Sequence, residues 1–96
     1  MDMETLMAQA QDLQSKISAA QDALGQMQVR GIGGNGNVVV TMTGKYDVLS
    51  VVVQPAALES GAESVSRFVM DAYSDAKIKA DALIEKTMSE VTGSLQ

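Results

Sequence analysis

Residues 26–55 read QMQVRGIGGNGNVVVTMTGKYDVLSVVVQP, and their alternation decides the fold. Val38, Val40 and Met42 alternate with Val39, Thr41 and Thr43; Leu49, Val51 and Val53 alternate with Val48, Ser50 and Val52. Period-two placement of β-branched side chains is the signature of strands. Met27 and Val29 begin a weaker run of the same kind. Gly33-Gly34-Asn35-Gly36 supplies the first reversal, because glycine and asparagine accept positive φ at little cost. Gly44-Lys45-Tyr46-Asp47 supplies the second, and Pro55 stops the last strand because it cannot donate to a ladder. Three antiparallel strands are expected, over residues 26–31, 37–43 and 48–54.

Outward from this stretch the period changes. Met3, Leu6, Ala10, Leu13, Ile17, Ala20 and Leu24 recur in steps of three and four. That spacing predicts a helix over residues 3–24, capped by Asp2 and stopped by Gly25 as its C′ residue. Downstream, Val65, Val69, Ala72, Ala76, Ala80, Leu83, Thr87 and Val91 form a second helical stripe. Ser60 and Glu63 match a capping box, so this helix is expected over residues 61–92. The fold class is α+β: a helix, a three-stranded antiparallel sheet and a long C-terminal helix. A 22-residue helix is about 33 Å long and a six-residue strand about 20 Å, so both apolar stripes overhang the sheet. A second copy of the chain is the natural cover, since Val, Ala, Leu and Met make a small core for one chain of 96 residues.

The composition removes several functions. There is no cysteine and no histidine, which excludes disulfides and thiolate or imidazole metal sites. Serines lack a nucleophile-elbow motif, and the carboxylates lie at helical spacings beside lysines, where ion pairing is the default. No enzyme chemistry, cofactor or metal is expected. Gly31, Gly33 and Gly36 match G-x-G-x-x-G, but a valine-rich strand follows instead of a helix, so they read as a hairpin connection and not a dinucleotide loop. No apolar run is long enough to span a membrane, and the acidic Met1-Asp2-Met3-Glu4 start is unlike a signal peptide. A cytoplasmic protein is expected.

The order G-x-V-x-V-T-x-x-G followed by V-x-V-x-P is filled by Gly36, Val38, Val40, Thr41, Gly44, Val51, Val53 and Pro55. It resembles the YbaB/EbfC family of small bacterial nucleoid-associated proteins. Met7–Gln11, Ala72–Ala76 and Met88–Gly93 carry the same resemblance, which thus covers nearly the whole of residues 1–96 as one domain. The resemblance implies a tweezer-like homodimer whose helical arms grip double-stranded DNA in the nucleoid. It supplies no strict motif of contact residues, so the arm cations Lys16, Arg67, Lys77, Lys79 and Lys86 are the candidates.

Charge opposes this reading. The net charge is −5. Residues 1–24 set Lys16 against Asp2, Glu4, Asp12 and Asp22, and residues 59–96 set four cations against seven carboxylates; each segment carries −3. Phosphate binding normally uses clustered Lys and Arg. The sequence also departs from the family at outward strand positions: Val39, Leu49 and Val52 are apolar, and Gln54 replaces an acidic residue before Pro55. A sheet apolar on both faces is buried on both. Either the helices wrap it, or Val39, Leu49 and Val52 meet a protein partner. The second expectation is therefore a protein-interaction or scaffold module with weak or no DNA binding.

Overall fold

A computed structural model describes residues 2–93. The elements are α1 (Met3–Gln26), β1 (Gln28–Gly33), β2 (Val38–Thr43), β3 (Val48–Val53), α2 (Pro55–Leu58) and α3 (Ala62–Gly93). The strands form one antiparallel sheet in the order β1-β2-β3. The expected α+β architecture is present, with the one-turn α2 added after Pro55, whose fixed φ suits the first turn of a helix.

Asp2 caps α1: the Thr5 amide donates to its Oδ1 at 2.8 Å. The far end differs from expectation. Gly25 does not stop the helix, which continues through Gln26 and ends where Met27 turns extended. The Met27 amide caps the Ala23 and Leu24 carbonyls, and a second bond comes from outside the helix. The Gly44 amide donates to Leu24 O at 2.9 Å and Met27 O at 3.2 Å. The β2–β3 turn thus reinforces the end of the helix. A Cβ on Gly44 would lie 2.7 Å from Leu24 O, so only glycine permits the contact.

The sheet also differs in two places. β1 runs to Gly33, past the expected end at Gly31, because Gly31 and Gly33 pair with Val40 and Val38 across the ladder. β3 carries a bulge: Thr41 faces Ser50 but Met42 faces Val48, leaving Leu49 as the extra residue. Strict alternation fails there, and Val48, not Leu49, stands opposite Met42.

The core lies between β2 and α3. Val38, Val40 and Met42 pack on Ala57, Ala72, Ala76 and Ala80, flanked by Val29, Val53, Val65, Phe68 and Val69. The alanines let the helix approach closely, and the glycines complete the approach. A Cβ on Gly31 would lie 1.9 Å from Ala72 O, and one on Gly33 2.2 Å from Phe68 O. The Gly31–Gly33 pair is therefore a seat for α3 and not a flexible connection. Ser60 does not form the expected capping box: its hydroxyl makes no hydrogen bond among the described residues. Gly61, at φ +90°, turns the chain, and its carbonyl accepts from Val65 N at 3.0 Å.

α3 covers β1 and β2 and leaves β3, apart from Val53, uncovered. Val51, on the helix side, is 47% exposed, and Val52, on the other side, is 48% exposed. Among the described residues no helix covers the outer face of the sheet. Beyond the sheet, α1 and α3 run antiparallel as an arm, and the molecule measures 68 × 18 × 15 Å. Of the α1 stripe only Ala20 and Leu24 are buried, whereas Met3, Leu6 and Ala10 near its tip are exposed.

Candidate nucleic-acid interface

The candidate cations do not form one strip, and Arg67, next to Phe68 over Gly33, lies on the sheet rather than on the arm. On a helix each residue turns about 100°. Lys79 and Lys86 therefore share a face, Lys77 lies on the opposite flank, and Arg67 falls between them. Lys16, on α1, pairs with Asp12 at 3.2 Å. Lys79 pairs with Asp75 at 3.1 Å and also donates to the Arg30 carbonyl at 2.8 Å. Asp75 in turn accepts from the Ile32 amide at 2.9 Å. Arg67, Lys77 and Lys86 are exposed and have no ion pair among the described residues. The i,i+4 spacing of Asp75 and Lys79 was legible as an ion pair; its reach across to the backbone of β1 was not, because no side chain there marks a backbone contact.

Two further cations lie off both long helices. Arg30 is exposed on the outer face of β1, and Lys45 is exposed at the β2–β3 turn, its aliphatic stem beside Gly25. In that turn Tyr46 takes φ +69°, a costly conformation for a ring-bearing residue, and its hydroxyl donates to Asp81 of α3. The carboxylate accepting this bond raises the Tyr46 pKa. The turn is thus tied to α1 through Gly44 and to α3 through Tyr46.

The Ile32 amide, then the Lys79 ammonium, hold the Asp75 carboxyl below its ordinary value of 3.8. A lowered folded-state pKa adds stability that is complete above 3.8 and is lost as pH falls through and below that value. Asp2 behaves in the same sense through its bond to Thr5. Acid melts of Asp75→Asn should therefore lose less stability between pH 5 and pH 2 than wild type, read as midpoint temperature against pH. Parallel curves would show that the carboxylate contributes nothing.

Among the described residues no group of His, Cys, Asp or Glu could hold a metal ion, and no helix is long and apolar enough to cross a membrane. The geometry is that of a small α+β module with a long two-helix arm, an uncovered sheet face and scattered exposed cations. The profile of the YbaB/EbfC DNA-binding family matches residues 1–95, and the chain belongs to that family. It is 42% identical over 91 residues to a nucleoid-associated protein of Bradyrhizobium diazoefficiens, covering 94% of this chain and 86% of that one. It is 40% identical over 96 residues to a nucleoid-associated protein of Beijerinckia indica, covering 99% and 95%. An uncharacterized Helicobacter pylori protein of known structure shares the fold, with a TM-score of 0.77 at 18% identity over 100% of this chain and 99% of that one.

Proposed function

We propose that this chain is a non-enzymatic, homodimeric protein of the bacterial nucleoid that binds duplex DNA largely without sequence preference. The family match over residues 1–95 carries the DNA reading. The dimer reading is supported by β3, which exposes apolar side chains on both faces and has a free edge. Light scattering at low micromolar concentration should give the mass of two 10.1 kDa chains; a folded single chain would defeat the dimer.

Contact is electrostatic and runs through Arg67, Lys77 and Lys86, whose charges are not already paired. Lys16 and Lys79 contribute less, because each is engaged by a carboxylate. A two-fold pair presents each cation twice. If all six neutralise phosphates, the slope of log affinity against log salt is about −5, and affinity falls about a thousandfold between about 50 and 200 mM salt. The exposed carboxylates of the same helices keep binding weak.

The test is a mobility shift on unrelated duplexes across a salt series. Arg67→Glu with Lys77→Glu and Lys86→Glu should weaken binding equally on every sequence and flatten the salt slope, with the dimer intact. A triple variant that binds like wild type removes α3 from the interface. Wild type that fails to bind at low salt favours the scaffold reading, for which the exposed Leu49 and Val52 and the half-buried Val39 offer the surface.

A further inference from the structure

A three-stranded sheet has two free edges, each a row of backbone amides and carbonyls able to template another strand. The two edges of this sheet are not equivalent. Arg30 and Ile32 turn their backbone groups away from β2. The Arg30 carbonyl accepts from Lys79 Nζ at 2.8 Å, and the Ile32 amide donates to Asp75 Oδ2 at 2.9 Å. The two side chains are themselves paired at 3.1 Å. In an antiparallel ladder an incoming strand exchanges both an N–H and a C=O with a single residue. The clamp takes the carbonyl of one such residue and the amide of the next, so neither can complete its pair. α3 cannot drift away from this edge, because Gly31 and Gly33 seat its backbone directly on the strand. On β3, no side chain hydrogen-bonds the backbone of Val48–Val53 among the described residues.

We propose that Asp75 and Lys79 close the β1 edge to strand addition, leaving β3 as the sole open edge, so that edge association ends at two chains and does not propagate. Only the endpoint of two chains rests on the homodimer reading; the closed edge stands on the clamp alone.

The experiment compares Asp75→Ala/Lys79→Ala with wild type by sedimentation across a concentration series. Asp71→Ala/Lys77→Ala, equal in net charge and on exposed positions of α3, is the control. The clamp variant should show at least double the wild-type mass, rising with concentration, while the control matches wild type. A clamp variant with wild-type helix content and wild-type mass overturns the proposal. Hydrogen exchange on wild type tests it independently of whether the variant folds. The Ile32 amide, although it faces away from β2, should be protected well beyond the Asn35 and Gly36 amides; exchange at the rate of those turn amides overturns it. A wild-type monomer would defeat the homodimer reading without touching this comparison.

Discussion

Gly31→Val should abolish the cooperative thermal transition of this protein. Even the first added carbon, Cβ, would sit 1.9 Å from Ala72 O, 2.3 Å from Ala76 N and 2.7 Å from Ala76 Cβ. Two of these are backbone atoms in the middle of a 32-residue helix, so no rotamer change relieves the overlap. α3 has to lift off β1, and with it go the contacts of Ala72, Ala76 and Ala80 to Val38, Val40 and Met42. Ordinary overpacking costs about 1–3 kcal/mol. Separating α3 from the sheet takes apart most of the core and costs more, against a total stability of about 5–15 kcal/mol. Circular dichroism should show lost helix and a sloping melt. Gly25→Ala is the counterpart: its Cβ would rest 3.5 Å from Lys45 Cδ, an ordinary contact, inside a helix. It should raise stability by about 0.5–1 kcal/mol, because alanine has less chain entropy to lose. A Gly31→Val protein melting like wild type would mean that α3 does not sit on β1.

These two glycines show what local sequence can and cannot convey. Alternation in Val38–Thr43 placed β2 and its buried face correctly, because side chains on a strand report their side directly. Glycine reports nothing about its neighbours. Gly31 and Gly33 looked like turn residues because turns are where glycine is most often needed, yet here the need is for close helix approach. Gly25 looked like a helix stop, but the helix runs on to Gln26 and is held at its end by Gly44, nineteen positions away from Gly25 in a different element. The β3 bulge escaped for a related reason: Val48-Leu49-Ser50 alternates acceptably whether or not one residue is skipped. The candidate contact residues were legible as cations and as positions on helices. Whether a cation is free depends on what crosses over to it, and Lys79 is held by β1 as well as by its own helix.

Val40→Asp and Val39→Asp, adjacent on β2, should have opposite consequences. Val40 is 1% exposed under α3, among Val38, Met42 and the helix alanines. A carboxylate there has no partner and costs several kcal/mol, comparable with the stability of the whole chain. It should leave no cooperative melt. Val39 points to the other side, where Ile32 and Val52 stand opposite it on the flanking strands. That row is uncovered in the single chain, so a carboxylate at Val39 stays hydrated and costs only the β-propensity difference, about 1 kcal/mol or less. Val39→Asp should therefore keep its helical spectrum and a sigmoidal melt a few degrees lower. Association through the β3 edge leaves this row free, so light scattering should still give the mass of two 10.1 kDa chains. Val40→Asp melting within a few degrees of wild type would put the wrong face of β2 under α3. Val39→Asp falling to the mass of one chain would move the interface from the β3 edge to the outer-face row of Ile32, Val39 and Val52.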